Sequence, residues 1–260
     1  MGKTYKEKKS SSNKSVELTR LLRKINQGGD PKILRQEASR LVANICPTDI
    51  ATAEQNLIND GYPAQLAQQL SAAFMLMGIL QEQNINLRAK IPANHILRTV
   101  LAEHELTRCF IAELEDVTQA IDQKEDFNDT CMEFRKLSHI IEHLDAMEEH
   151  IEREDDVIFP CLKQHGWTSL CRSAQSDHSY IKIAINDLIR LLGSFRETKI
   201  DAFKVRLNSI SKYLCPIMRD HMLQEESILY PIAFEVIQDE KVWKKIKDFC
   251  DEIGYCGFHM

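Results

Sequence analysis

The chain has 260 residues, of which 43% are hydrophobic and 28% are charged, an ordinary balance for a soluble, folded protein. Its net charge of −6 gives no reason to expect nucleic acid or an anionic membrane as a partner. No apolar run approaches the roughly 18–20 residues that span a bilayer. Glycine and proline are scarce, and long periodic stretches of polar and apolar residues dominate, which favours an all-α protein over a turn-rich β protein.

The first residues, "MGKTYKEKKSSSNKS", lack the apolar core of a secretory signal and predict a disordered basic tail over residues 1–15. Without an export signal we expect a cytoplasmic protein whose eight cysteines are reduced. None of them forms a Cys-x-x-Cys pair. A redox or metal pair at Cys250 and Cys256 stays open as a weak hypothesis.

Residues 16–88 predict an N-terminal helical module made of short helices. "VELTRLLRKINQGGD" places leucines on one helical stripe and then stops at a glycine pair. Pro31 and Pro47 each open a further helix, and Thr48 or Asp49 is the candidate N-cap of the second of these. "PAQLAQQLSAAFMLMGIL" predicts a fourth helix.

Residues 89–240 predict a larger domain, whose first residues overlap the predicted linker "NINLRAKIPANH". Short connections between long amphipathic helices make antiparallel neighbours, so we expect an up-down-up-down four-helix bundle. A final part, residues 241–260, predicts a short C-terminal helix and a tail. The four long segments are 94–121, 127–164, 170–195 and 200–238.

Two segments of the predicted bundle carry the same unusual pattern, "HIEREDDVIFP" from His150 and "HMLQEESILYP" from His221. Glu154 and Glu225 each lie four residues after their histidine, so both side chains point to the same side of a helix. The surrounding positions are apolar, and an unpaired charge buried there would be costly. A bound cation removes that cost.

The other two segments each contribute a histidine at a matching interval, His104 being 46 residues before His150 and His178 being 43 before His221. The chain therefore resembles a duplicated helical hairpin. Four imidazoles and two carboxylates suit two ions held side by side, with the carboxylates bridging and a position open to ligand. Such donors favour non-haem iron, with zinc or manganese as alternatives, and argue against copper(I) or an iron–sulfur cluster. The candidate metal ligands are His104, His150, Glu154, His178, His221 and Glu225.

Other polar residues lie close to these candidates along the chain. Asp155 and Glu226 directly follow the two glutamates and point about 100° away, so we expect them to be solvated or to support a ligand, with direct coordination as a reserve role for Asp155. His143 lies about 10 Å along the axis from His150, too far for the same ion. His139 and His143 are therefore expected to be partly exposed bundle histidines, and a role along an access path stays open. Tyr180 and Tyr230 are expected to pack in the core, and contact with the metal site stays open for both.

The histidines, the two His-x-x-x-Glu motifs and the "FP" and "YP" endings resemble the hemerythrin-like, or HHE cation-binding, domain over about residues 90–240. The set of four histidines and two glutamates is most similar to the repair-of-iron-centres subfamily, whose di-iron site takes one histidine from each helix and two bridging glutamates. The first 85 residues are similar to a helical module of unknown function that is often fused ahead of hemerythrin-like domains. The iron-repair proteins instead carry a short N-terminal domain with a cysteine motif that this sequence lacks.

This resemblance implies a non-haem di-iron protein that binds or senses dioxygen, nitric oxide or peroxide. The N-terminal module would then pass the state of the metal to a protein partner. Two alternatives remain at this point: an enzyme that repairs iron–sulfur clusters or reduces nitric oxide, and a store of iron or zinc. A sensor or carrier is favoured over a catalyst.

Overall fold

The computed structural model describes residues 3–28, 31–79 and 87–256. Helices dominate this part of the chain, and no strand occurs within it, so the predicted all-α class is confirmed. None of its helices has the length and apolarity to cross a lipid bilayer. The N-terminal helices are α1 (Lys3–Asn26), α2 (Pro31–Val42), α3 (Pro47–Asn59), α4 (Ala64–Ile79) and the short α5 (Leu87–Lys90).

Four long helical segments follow, as the sequence predicted. The first is α6 (Ile96–Gln123), and the second is interrupted, since α7 (Met132–Asp145) and α8 (Met147–Arg153) are separated at Ala146. The remaining helices are α9 (Phe159–Gln164), α10 (Thr168–Gly193), α11 (Ile200–Gln224), α12 (Tyr230–Val236) and α13 (Glu240–Ile253).

Backbone contacts divide the chain into two compact units. Unit 1 comprises Met1–Lys90, Leu162–Ala174 and Leu223–Gln238. Unit 2 comprises Ile91–Cys161, Gln175–Met222 and Asp239–Met260. The N-terminal module thus shares unit 1 with short stretches of two bundle helices.

In unit 1, α1 packs against α3 through the leucine stripe that the sequence predicted, and Leu18, Leu21 and Leu22 are buried. The N-terminus of α3 differs from the prediction. Cys46, rather than Thr48 or Asp49, is the N-cap, and the Asp49 carboxylate reaches back to accept a hydrogen bond from the Cys46 N–H at 3.1 Å. An acid at the third helical position satisfies an N–H that the helix leaves open.

The predicted N-terminal tail overlaps a helix, and parts of the predicted linker and C-terminal tail cannot be compared with the structure. Helix α1 begins at Lys3, so helical backbone is present within residues 1–15, for which the sequence predicted a tail. Residues 84–86 of the predicted linker and residues 257–260 of the predicted C-terminal tail lie outside the described residues. The boundaries 16–88, 89–240 and 241–260 remain predictions.

In unit 2, the connection between α6 and α7 is longer than the sequence suggested, and α7 begins at Met132. Asn128 builds this turn, because its side-chain oxygen accepts a hydrogen bond from the Thr130 N–H at 2.9 Å. Beside the turn, the rings of Phe127, Phe195 and Phe203 pack with centroids 4.9–5.7 Å apart. This cluster closes one end of the apolar core.

Two π-helical turns, Glu154–Ile158 and Glu225–Leu229, interrupt the bundle helices where the repeated motifs lie. The N–H of Phe159 donates to the carbonyl of Glu154, five residues back, and Tyr230 does the same to Glu225. A proline follows in each case. Since proline has no N–H and its ring clashes with the carbonyl four residues earlier, an ordinary α-helix is disfavoured there. The widened turn accommodates the proline.

Candidate metal centre

The structure places one of the predicted histidines on each long helical segment and each predicted glutamate at the start of a π-helical turn. The six side chains are all buried, with exposed fractions from 0% to 6%. His104 lies on α6, His150 on α8, His178 on α10 and His221 on α11, while Glu154 and Glu225 open the two π-helical turns.

The histidines meet in pairs through their Nε2 atoms. The Nε2 atoms of His104 and His150 are 3.2 Å apart, and those of His178 and His221 are 3.0 Å apart. Two nitrogens that each lie about 2.1 Å from one ion, at right angles, are about 3.0 Å apart. Each pair therefore has the spacing of two ligands on a single cation.

The Glu154 carboxylate lies next to a histidine of each pair. Its Oε2 atom is 3.2 Å from His178 Nε2 and 3.5 Å from His150 Nε2. The ligand atoms fall into two groups, within each of which all atoms lie within 4.8 Å of one another. One group is Glu154, His178, His221 and Glu225, and the other is His104, His150 and Glu225. The six residues predicted from the sequence are thus brought together, and Glu225 belongs to both groups.

Hydrogen bonds at Nδ1 orient two of the imidazoles. His150 Nδ1 is 2.8 Å from Glu103 Oε2, and His178 Nδ1 is 2.8 Å from Asp155 Oδ1. The carboxylate oxygens accept these bonds, so each Nδ1 carries a proton, and in the neutral imidazole the lone pair is on Nε2. Asp155 therefore supports a histidine, one of the roles that the sequence left open, and it is in neither group of ligand atoms.

Glu103 is a residue that the sequence analysis did not single out. Its carboxylate accepts hydrogen bonds from His150 and from the guanidinium of Arg153, a side chain with no exposed surface. Burial alone would raise the pKa of Glu103, but the hydrogen bond from His150 and the charge of Arg153 outweigh it and lower the pKa. Glu103 therefore stays ionised and holds the His150 imidazole in one orientation.

Aromatic side chains line the same region. The Phe159 ring is parallel to the His178 imidazole, with centroids 5.6 Å apart and an angle of 9° between the planes. The Tyr230 hydroxyl is 3.4 Å from Glu225 Oε2, so Tyr230 contacts a candidate ligand as well as packing in the core. Tyr180, by contrast, is 42% exposed.

His139 and His143 lie outside both groups of ligand atoms. Phe110 stacks on His143 with centroids 4.3 Å apart, and the two imidazoles contact each other at 4.4 Å. Burial lowers the pKa of His143, which favours its neutral form. These histidines form a partly exposed aromatic contact between α6 and α7.

None of the eight cysteines, all of which lie in the described part of the chain, forms a disulfide. Cys250 and Cys256 are buried, and burial raises their pKa values to about 11 and about 12. Both thiols are therefore protonated at neutral pH and poor nucleophiles or metal ligands. Neither belongs to the ligand groups found among the described residues.

Buried imidazoles and carboxylates gathered in a helical protein are the donors of a cation-binding site, because a bound cation offsets the cost of burying the carboxylates. The chain belongs to the hemerythrin HHE cation-binding domain family, which matches residues 95–233. Residues 18–72 match DUF438, a family of unknown function. No curated protein matches the chain.

Proposed function

We propose that the six buried side chains hold two non-haem iron ions and that this centre binds or senses dioxygen, nitric oxide or peroxide. One contact carries the metal assignment. His178 donates from Nδ1 to Asp155, and its Nε2 atom faces the Glu154 carboxylate oxygen at 3.2 Å. A metal ion bound by both atoms would use the Nε2 lone pair of a neutral imidazole and offset the charge of a buried carboxylate. His221 Nε2 lies 3.0 Å from the same nitrogen, so potential ligand atoms of three residues converge there.

Iron is the proposed metal because the donors are imidazole nitrogens and carboxylate oxygens, a set typical of non-haem iron sites. Zinc and manganese accept the same donors and are the alternatives that metal analysis separates from iron. Ferrous iron with an open coordination position reacts with small oxygen and nitrogen ligands. The protein side chains supply negative charge at Glu154 and Glu225 and fix two imidazoles through Glu103 and Asp155.

The buried setting favours a sensor or carrier. Residues next to the histidines on their helices, such as Met147, Ile151, Met218 and Met222, have at most 4% exposed surface. Such walls keep bulk water and large reactants away from the ligand atoms. A diatomic ligand is small enough to enter such a site. A folded protein with a damaged iron–sulfur cluster is too large to enter it.

A protein partner would be reached through the N-terminal module. Within unit 1, Glu54 of α3 accepts a hydrogen bond from Gln224 Nε2 at 2.7 Å, and Gln224 directly precedes Glu225 in the chain. A change at Glu225 would therefore act on α3 through one intervening side chain. We expect the protein to act in the cytoplasm, where its thiols are reduced.

Metal analysis of freshly purified protein, with an anaerobic spectrum, tests the proposal directly. We expect two iron ions per chain and an iron-dependent near-ultraviolet absorption that a zinc protein lacks. His150→Ala and Glu225→Ala should lose metal and lower the thermal midpoint, because metal binding stabilises only the folded chain. His143→Ala is the matched control and should retain both ions.

A metal content that stays at two per chain in His150→Ala and Glu225→Ala would contradict the ligand assignment. Ligand addition to the ferrous protein then separates the functions. Reversible binding of dioxygen or nitric oxide fits a sensor or carrier, whereas rapid consumption of nitric oxide fits an enzyme. Iron that passes to an apo iron–sulfur protein would favour the repair alternative, and iron that loads beyond two ions would favour storage.

A further inference from the structure

The segment Gly254–Cys256, which follows α13, contacts a charged side chain from the middle of the chain. The Gly254 carbonyl accepts a hydrogen bond from Arg153 Nη1, across a separation of 101 residues. The Tyr255 ring lies against the same guanidinium, 4.8 Å from its central carbon to the ring centroid. The Cys256 thiol is also hydrogen-bonded to Arg153. Three successive residues therefore surround one arginine within unit 2.

Arg153 has no exposed surface, and a buried guanidinium is tolerated only when it is paired and hydrogen-bonded. Its Nη2 atom donates to both oxygens of Glu103, while its Nη1 atom donates to Gly254. Loss of the Gly254 carbonyl would leave one nitrogen of a buried cation without that acceptor. The position of Arg153, and hence of Glu103, depends on the path of the C-terminal segment.

Glu103 connects this arrangement to the candidate metal centre. One of its oxygens, Oε2, accepts from both Arg153 and His150 Nδ1, the latter at 2.8 Å. A carboxylate held by a rigid, planar guanidinium can hold an imidazole in one rotation and one protonation state. Arg153 is therefore a positioning residue for His150.

The second half of the centre is supported in a different way. His178 Nδ1 binds Asp155, which lies on the π-helical turn itself and has 23% of its side chain exposed. His221 Nδ1 lies 3.7 Å from Asp177. The repeated motifs thus have unequal surroundings, because the C-terminal segment supports the half that contains His104 and His150.

The geometry points to the segment Gly254–Cys256 as a strap that orients His150 through Arg153 and Glu103 and so sets how firmly the His104–His150 half holds its metal. This inference rests on the proposed two-ion centre. It assigns to the last described residues a role in metal retention, although none of them is a candidate ligand.

Gly254 offers a way to disturb the strap without touching Arg153, Glu103 or the ligands. Its φ is +105°, a conformation that L side chains rarely adopt, and a Cβ there would meet only Glu149 at ordinary contact distances, the nearest atom 3.7 Å away. Gly254→Ala therefore strains the backbone rather than causing a clash. Gly61→Ala is the matched control, since Gly61 has φ of +91° and no heavy atom within 4 Å of its Cβ position.

The first readout is the rate at which a chelator removes metal from the loaded full-length protein. We expect Gly254→Ala to release one ion about 10–100-fold faster than the wild type and the other ion at the wild-type rate. This factor is the usual loss of metal affinity when a residue that supports a metal-bound histidine is changed. Arg153→Lys keeps the charge but loses the two separate nitrogens that bind Glu103 and Gly254, and it should behave in the same way. Gly61→Ala should release both ions at wild-type rates. Equal acceleration of both ions in Gly254→Ala would overturn the assignment to one half.

The second readout needs no metal. Proton–nitrogen NMR of the metal-free protein reports exchange of the His150 Nδ1 proton, which should be slow in the wild type and Gly61→Ala and fast in Gly254→Ala. Unchanged protection in Gly254→Ala would overturn the strap. If the wild type holds no iron but this proton loses protection in Gly254→Ala, the di-iron proposal fails while the strap stands.

Discussion

Glu54 is a carboxylic acid in the apolar interior of unit 1, with 3% of its surface exposed. Burial raises its pKa from the ordinary 4.5 to about 7, and hydrogen bonds from Ser71 and Gln224 offset only part of that rise. We predict that Glu54→Gln stabilises the protein in a pH-dependent way. Glutamine keeps the shape and an oxygen that accepts from Gln224, but it has no charge to bury.

The pH window follows from the two pKa values. Below about 4.5 the acid is protonated in both the folded and the unfolded chain, so pH has no effect. Between about 4.5 and about 7 the unfolded chain releases its proton while the folded chain keeps it, so stability falls as pH rises. Above about 7 the loss is complete and amounts to about 3 kcal/mol, because each tenfold change in proton affinity is worth about 1.4 kcal/mol.

Urea unfolding of the wild type and Glu54→Gln at pH 5 and pH 8, with a chelator in every sample, measures this effect. The stability gained by Glu54→Gln should be about 2–3 kcal/mol larger at pH 8 than at pH 5. Glu115→Gln is the control, since a hydrogen bond from Arg219 lowers the pKa of that exposed carboxyl. It should give no gain at pH 8. An equal gain from Glu54→Gln at both pH values would refute the reasoning.

Two further changes test the packing and the helix ends. Phe203→Ala removes a ring that contacts Phe127 and Phe195 in the core, and it should lower the free energy of unfolding by about 3–5 kcal/mol while the protein retains its metal. A loss under 1 kcal/mol in urea unfolding would show that the cluster is not tightly packed. Asp239→Ala removes the N-cap of α13, whose carboxylate accepts from the Lys241 N–H at 2.9 Å. Thermal unfolding should report a cost of about 1 kcal/mol, Asp239→Asn should recover most of it, and equal losses in both variants would rule out the cap.

The sequence was most informative at the metal-site residues, where the four-residue spacing of a helix coincides with a repeat of the whole motif. The four-residue step from His150 to Glu154, and its copy from His221 to Glu225, puts each pair on one side of a helix. The matching intervals back to the other two histidines predicted where the segments meet. The His–Glu spacing is local and the histidine intervals are repeated, so both can be recognised in a single sequence.

Contacts between helices at unrelated positions were not predictable in this way. Glu103 lies in "LAEHELTR", close to another acid, Glu105, and Arg153 lies among acids in "HIEREDD", so both look like parts of a solvated face. Their pairing spans 50 residues and has no period that would mark it. The burial of Arg153 follows from the C-terminal segment, whose path one sequence does not reveal.

Some local signals were present in the sequence but were interpreted too simply. Pro160 and Pro231 indicate that the helices cannot continue unchanged, yet the predicted segments 127–164 and 200–238 passed through them. The N-cap of α3 was placed too late, because Asp49 bonds back to Cys46 instead of capping from its own position. The turn at Asn128 was likewise included in the helix that follows it.

The π-helical turns change the helical phase at each glutamate. One additional residue in a turn rotates everything after it by about 100° relative to an unbroken helix. A helical-wheel projection that assumes an unbroken α-helix from His150 therefore places Phe159 on the wrong side of the helix. In the structure the Phe159 ring stacks on His178. Shortening the stretch Glu154–Ile158 by one residue would restore an ordinary α-helical turn and keep both the upstream histidine and that ring in place, whereas an unbroken α-helix through the present sequence would turn the ring away.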